Sequence, residues 1–471
     1  MFKKILIIRP DAIGDLTLAT PAIAAIKEKF PKAHIAVWVR PYNQAVIQNN
    51  PAIDEIIIDD LYDKIFKKQR IFPLKYLEWV KRIKAKNFDL AINFNGEFAY
   101  ALIAFLARIP FRIGDRGKIL YSWMYSHPAL QHFNSWAIHE VEHHFELLKP
   151  LNITIKSNSV MHVYPAEKKI EEAKQLLHTS GIPGKPLMAV NVGTGGANKP
   201  WKAEYFVDLV KQLAQKYNTK IVLLGGPKEE SLVAKMLSAV ADSAVSLINL
   251  PLDSFIALVS LLDLYIGNDT GPSHIAAALN APSIVLFTSK YQKPGRWAPW
   301  GNRHKFIKNI SNCPYPCRSP SCKRDLCIDE ISVEEVFSAA CGLLEGEINA
   351  SPAEDKLERE RLSFNILLAG DSPEKEAVYQ ILQKNNWRVW SFSQPEIVKL
   401  SLKDLQAFYH FREINILHVF GKVPFKLRLS ALLTTLNMPF PVMLVEDQNN
   451  RCSNFSELVR FYEDKFNHRV V

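Results

Sequence analysis

Two carboxylates four residues apart, Asp11 and Asp15, stand in the stretch RPDAIGDLTLATPAI (Arg9 to Ile23), directly after the apolar run Ile5 to Ile8. Where a strand gives way to a helix, an Asp is a common cap, and capping alone would place one there. Gly14 adds something, because it lets the backbone approach a ligand closely. A carboxylate at that lip, its charge favoured by the helix dipole, is able to accept a proton from an alcohol.

A second stretch, YIGNDTGPSHIAAALNAP (Tyr265 to Pro282), ends a strand at Asn268-Asp269-Thr270-Gly271 and opens a helix at once. Free N–H groups at a helix start form an anion site, and the hydroxyls of Thr270 and Ser273 add donors. Asp269 suits neutral sugar hydroxyls, or backbone N–H groups, better than a phosphate. A lone His on a helix is usually structural, but His274 lies one turn from the anion site.

Two further turns carry weaker signals. NVGTGGANKPWKAEYF (Asn191 to Phe206) repeats the strand–glycine–helix pattern and adds Thr194, Lys199 and Lys202. It is neither a Walker A loop nor Gly-x-Gly-x-x-Gly, yet its N–H groups and a Lys suit phosphate. A flexible turn with a surface Lys accounts for it equally well. In LLGGPKEE (Leu223 to Glu230) Lys228, Glu229 and Glu230 are equal candidates to reach a ribose or base. Cys313, Cys317, Cys322 and Cys327 form a tight cluster without the Cys-x2-Cys knuckle of zinc sites. A structural metal, reduced thiols and a disulfide all remain open for it.

Strands separated by helices position these turns. Strands are expected at Ile5 to Ile8, His34 to Val39, Ile56 to Ile58 and Leu90 to Phe94, with a helix from Leu16 to Phe30. The pattern restarts at Leu187 to Val192, Ile221 to Leu224, Leu264 to Gly267 and Ser283 to Phe287, with a helix over Ala203 to Tyr217. That alternation predicts an α/β fold of two Rossmann-like, doubly wound domains in tandem, facing across a cleft. Every motif except the cysteines falls at a strand's carboxyl end, where such sheets bind ligands. Domains are expected at 1–165 and 166–348, then a charged linker at 349–362 and a small C-terminal α/β module at 363–471 in which no chemistry is evident.

The chain of 471 residues is too long for one core. Its 48% hydrophobic and 23% charged content is ordinary for a globular protein, and no apolar run approaches the roughly 20 residues of a spanning helix. The start lacks a signal-peptide cleavage site, so a cytoplasmic location is expected. The formal net charge is +10, and between Leu61 and Leu90 nine Lys and Arg stand against three acids, interleaved with aromatic and aliphatic residues. A solvated helix with an aromatic core face is one reading. Contact with an anionic partner, such as phospholipid headgroups or a phosphorylated glycolipid, is the other. No nucleic-acid partner is expected, since none of the usual modules is visible.

Taken together, Arg9-x-Asp11-x-x-Gly14-Asp15 with Thr20-Pro21, Lys199-Pro200-Trp201 and Asp269-Thr270-Gly271-Pro272-Ser273-His274 resemble glycosyltransferase family nine, the ADP-heptose:lipopolysaccharide heptosyltransferases. The resemblance covers roughly Met1 to Gly346. It implies a GT-B fold, with the first domain binding an anionic glycolipid acceptor and the second an ADP-sugar donor. It implies Asp15 as general base, with Arg9, Asp11 and Gly14 on the acceptor side. Lys199 and the Thr270-Gly271 turn would hold the diphosphate with Thr194 nearby, Asp269 and His274 would line the donor pocket, and Glu229 would approach the ribose. An inverting transfer with no cofactor required for catalysis is expected, and no Asp-x-Asp metal motif occurs in the chain. The enzyme would work at the inner membrane surface as a peripheral protein. A nucleotide-sugar epimerase on the same fold is the alternative enzyme, and a non-catalytic nucleotide-sugar-binding protein is the alternative outside enzymes.

Overall fold

A computed structural model describes residues 2–63, 73–116, 118, 120–129, 138–182, 184–194, 200–240, 242–288, 294–301, 303–308 and 331–346, with four strands beyond them. The first lobe runs β1 (Lys4–Ile8), α1 (Ile13–Lys29), β2 (His34–Val39), β3 (Glu55–Ile58), α2 (Pro73–Ala85), β4 (Leu90–Asn93), α3 (Phe98–Leu106), β5 (Phe111–Asp115), β6 (His127–Ala129) and α4 (Glu140–Leu148). The second runs α5 (Glu167–Thr179), β7 (Met188–Asn191), α6 (Ala203–Tyr217), β8 (Ile221–Gly225), α7 (Glu230–Val240), β9 (Ala244–Ile248), α8 (Leu252–Val259), β10 (Leu264–Asn268), α9 (Gly271–Ala278), β11 (Ser283–Phe287), β12 (His304–Lys308) and α10 (Val333–Leu344).

Each lobe is one six-stranded sheet, and the two share an order: β3-β2-β1-β4-β5-β6 and β9-β8-β7-β10-β11-β12, all parallel. In both, the strand order reverses between the first and fourth strands of the lobe, which opens a crevice at their carboxyl ends. The expected two-lobed α/β architecture is therefore present. β5, β6, β9 and β12 were not anticipated by periodicity.

The central strands read as unbroken apolar runs because helices cover both faces. Ile5 to Ile8 and Ile35 to Val39 are fully buried, each large aliphatic side chain contributing roughly 1.5–3 kcal/mol relative to exposure. On one face Trp38 stacks on Trp79 at 4.3 Å between ring centroids, and Trp79 donates to Asp60 Oδ1 at 2.7 Å. On the other face α1 is buried through Leu18, Ala22 and Ile26. Pro21 inside α1 leaves the carbonyl of Thr17 without its helical N–H. The hydroxyl of Thr20 donates to that carbonyl at 2.7 Å and accepts from His162 N at 3.0 Å, which ties α1 to the chain leading into the second lobe.

A second compact unit carries the four strands β13 (Ile366–Ala369), β14 (Val389–Phe392), β15 (Ile416–Phe420) and β16 (Met443–Asp447), a parallel sheet in the order β14-β13-β15-β16. A small C-terminal module was expected there, without β14. The expected linker at 349–362 lies outside the described residues.

Candidate active site

The loop after β1 is organised by a buried arginine. Arg9 Nη1 donates to Phe94 O at 2.6 Å and lies 3.0 Å from Asp11 Oδ2. Its Nη2 lies 3.1 Å from Asp15 Oδ1 and 3.0 Å from Glu140 Oε1. One guanidinium thus touches three carboxylates. Asp11 also accepts from the side chain of Asn95, which follows β4, the other strand at the crevice. Asp15 Oδ2 accepts from Ala12 N at 3.2 Å, so the residue acts as part of the helix cap while the other oxygen faces Arg9. Capping and a chemical role coexist in Asp15, which keeps 24% of its side chain open to solvent.

The electrostatics follow from burial and this crowding. Burial works against the charge of Arg9, but Asp11, Asp15 and Glu140 together raise its pKa. Burial pushes Asp11 up to about 7, opposed by Arg9 and reinforced by Asp15. Asp15 is likewise raised by its surroundings, with Arg9 opposing and Glu140 reinforcing the shift. Glu140 goes the other way: burial would raise it, but Arg296 and Arg9 hold it at about 2. The cluster therefore has one firmly ionised carboxylate and two whose proton affinity lies above the ordinary range, as a proton acceptor working near neutral pH requires.

Opposite this loop stands the start of α9. Thr270 is its first flanking residue, extended, with Oγ1 donating to Asn268 O at 3.3 Å, and the Ser273 hydroxyl donates to the same carbonyl at 2.8 Å. Asn268 ties the neighbouring loop in place. Its amide donates to Val192 O at 3.2 Å and accepts from Trp201 N at 3.1 Å. The buried Thr194 and the partly exposed Asp269 and Gly271 share this end of the sheet. Glu229 is part-buried and accepts from Gly226 N at 3.0 Å, while Lys228 and Glu230 are exposed, so of those three Glu229 belongs to the lip of the crevice. His274 is buried; burial and His304 lower it to about 4, and it is neutral near pH 7.

The two helix starts meet. A Cβ added at Gly14 would lie 2.7 Å from His274 Cδ2 and 3.3 Å from Gly271 Cα; one at Gly271 would lie 3.1 Å from Gly14 N. Glycine at both positions permits this approach. Arg9, Asp11, Gly14, Asp15, Gly271 and His274 are thus brought together, with Thr194, Glu229, Asp269 and Thr270 around the second lobe's crevice. Lys199 and the cluster Cys313, Cys317, Cys322 and Cys327 lie outside the described residues. Among the described residues, no group of three or more His, Cys, Asp or Glu is placed to hold a metal ion.

Glu140 and Arg296 were not anticipated from the sequence. Both are buried, and Arg296 donates to Glu140 Oε2 from Nη2 at 2.9 Å and from Nε at 3.1 Å. They lie 156 residues apart in the chain, and nothing local marks either one.

Comparison with known proteins bears on the family and the fold. The family model for glycosyltransferase family 9 (heptosyltransferase) matches residues 76–327. Lipooligosaccharide heptosyltransferase 2 of Campylobacter jejuni is 24% identical over 355 residues, 72% of this chain and 98% of that protein. A family 9 glycosyltransferase structure from Veillonella parvula superposes with a TM-score of 0.64 at 21% identity, covering 73% of this chain and 98% of the other. The Escherichia coli ADP-heptose lps heptosyltransferase II structure gives 0.60 at 20% identity, covering 73% and 99%. With a GT-B architecture and a family match over more than half its length, the chain belongs to glycosyltransferase family 9.

Proposed function

We propose that this glycosyltransferase transfers a heptose, or a closely related sugar, from an ADP-sugar to a hydroxyl of a lipopolysaccharide-core or similar glycolipid acceptor, with inversion at the anomeric carbon. The observation that carries the reading is the close approach of Gly14 and Gly271, which brings the start of α1, with Asp15 in its first turn, against the start of α9. Attack by the acceptor oxygen opposite the leaving ADP requires its proton to go to a base, for which Asp15 is the candidate. Negative charge grows on the departing diphosphate, where the N–H groups at the start of α9, the Thr270 hydroxyl, Thr194 and Lys199 are the candidate partners. Glu229 is assigned to the ribose, and Asp269 with the neutral His274 to the donor pocket. Arg9, Asp11 and Gly14 shape the acceptor side. The choice of donor and acceptor is supported by the names of relatives that act on ADP-heptose and on lipopolysaccharide or lipooligosaccharide.

The same reading places the first lobe against an anionic membrane surface. On α2, Trp79 and Ile83 are buried while Leu74 and Leu77 are exposed beside Lys81, Arg82 and Lys84. The adjoining α3 also exposes Phe98 and Leu106, and the turn beyond exposes Trp123. Basic and apolar groups on one face suit anionic headgroups. Of the remaining cations of that stretch, Lys75 pairs with Asp60 and Glu78 and Lys86 with Glu55, while those from Lys64 to Arg70 lie outside the described residues. No helix among the described residues is long and apolar enough to cross a membrane.

Incubation with ADP-heptose and a deacylated lipopolysaccharide-core acceptor tests the proposal. Acceptor-dependent ADP release that survives EDTA, with a product of inverted anomeric configuration, is expected. Retained configuration, or conversion of the nucleotide-sugar without acceptor, would overturn it in favour of a different mechanism or of an epimerase.

A further inference from the structure

We infer that Glu140 and Arg296 are positioning residues for the transfer, a buried carboxylate and guanidinium that carry the placement of the nucleotide lobe through Arg9 to the proton-accepting carboxylate. The inference rests on Asp15 being the base.

The contacts form one unbroken chain. Arg296, from the segment after β11, holds one oxygen of Glu140 with two N–H groups at 2.9 and 3.1 Å. The other oxygen holds Arg9 Nη2 at 3.0 Å, and the same Nη2 holds Asp15 Oδ1 at 3.1 Å. Glu140 opens α4, where the helix dipole favours its charge. The residue before it anchors the same junction. His139 Nδ1 accepts from Val141 N at 3.2 Å, so Nε2 carries the proton and donates to Ala298 O at 2.7 Å. Trp300 adds a bond to Ser159 O at 2.7 Å. The 294–300 segment is thereby tied to the opening of α4 through His139 and to the chain between the lobes at Ser159.

A purely structural role would be filled more economically. Buried ion pairs are frequently no more stabilising than apolar residues of equal volume, and the lobes already share the apolar and glycine contact of α1 with α9. What apolar residues would not do is set the charge around Arg9. The charged and titratable groups that act on Asp15 are Arg9 and Asp11 from its own loop, Tyr42 from the turn after β2, Tyr62 after β3, Glu140 from α4 and Arg296 from the second lobe, while His143 and His144 act on Glu140 and His274 lies against Gly14. Of these, Glu140 strengthens the proton affinity of Asp15 and Arg296 weakens it. The two partners of one ion pair therefore act on the base with opposite signs.

The test is the pH dependence of kcat/KM for the acceptor at saturating ADP-heptose. In Glu140→Gln the acid limb should move to lower pH, and in Arg296→Gln to higher pH, each by roughly half a unit or more. Arg296→Lys keeps the cation but loses the two-pronged hold; its limb should stay in place while kcat falls about tenfold at unchanged KM. Limbs that do not move, or that move the same way in both Gln variants, would overturn the inference. So would wild-type kcat in Arg296→Lys, which decides the matter if the Gln variants do not fold. Asp15→Asn run alongside separates the two levels. Full activity there refutes the base assignment itself, whereas an inactive Asp15→Asn beside unmoved limbs refutes only the relay.

Discussion

The β1–α1 junction of the first lobe and the β10–α9 junction of the second occupy equivalent crevices in sheets of identical strand order, yet their chemistry is opposite. The first is dense in charge: Arg9 bridges Asp11, Asp15 and Glu140. The second presents hydroxyls, an amide, a glycine and the single carboxylate of Asp269, with the buried His274 kept neutral. The topology supplies a place and side-chain composition supplies a polarity. A crevice of crowded carboxylates raises proton affinity, and one of N–H and hydroxyl donors receives growing negative charge.

The largest effect expected from breaking this contrast is on Asp15. Asp15→Asn should lower kcat by about 10²–10⁴-fold, the usual range for loss of a general base.

Next comes the contact between the junctions. Gly14→Ala would bring a Cβ within 2.7 Å of His274 Cδ2 and 3.3 Å of the Gly271 backbone. A shift of about 1 Å in the relative position of the two junctions is expected to cost on the order of 10²-fold in kcat, with overpacking costing about 1–3 kcal/mol of stability in urea unfolding. Gly271→Ala, whose Cβ would meet Ile13 Cβ at 3.0 Å, should behave alike. Normal kcat in both would mean that the approach is incidental.

The polarity itself is read from pH. Asp11 and Asp15 are both raised, Asp11 to about 7, so kcat/KM should fall as the pH drops through that region and the pair takes up protons. Asp11→Asn removes the neighbouring negative charge and should move the acid limb to lower pH. A limb near pH 4 in the wild type would mean that the crowding leaves the carboxylates unperturbed.

A smaller effect sharpens the comparison by separating fold from chemistry. Ser332 caps α10 by accepting from Glu335 N at 3.1 Å, on the second lobe. Ser332→Ala should cost about 1 kcal/mol in denaturant unfolding and leave the pH profile in place. Outside the crevices, replacing Leu74 and Leu77 by Glu should reduce flotation with anionic vesicles while leaving turnover on a deacylated acceptor intact.

How much was legible depended on how local each feature is. Asp15, Gly14 and the Asp269–His274 run could be found because strand, turn and helix start are neighbours in sequence. Central strands such as Ile5 to Ile8 were readable as buried runs. The edge strands β6, β9 and β12 and the inner strand β5 were not. HKFIK (His304–Lys308), at a sheet edge, has three of its five residues only partly buried and no regular apolar pattern, and FRIGD (Phe111–Asp115) carries Arg, Gly and Asp inside a strand. Glu140 opens an ordinary acidic helix, EVEHHFELL, and only the return of the chain 156 residues later gives it a partner. A single sequence records a side chain's type and not its distant neighbour, so Glu140 and Arg296 stayed hidden while Asp15 did not.

The most direct measurement is paired: acceptor-dependent ADP release by Asp15→Asn from ADP-heptose, together with the affinity of the same protein for ADP by calorimetry. Turnover lost by at least about 10²-fold with ADP affinity unchanged is the predicted result. Turnover at the wild-type rate, or a loss matched by an equal loss of ADP binding, would contradict the assignment of proton transfer to one lobe and nucleotide binding to the other.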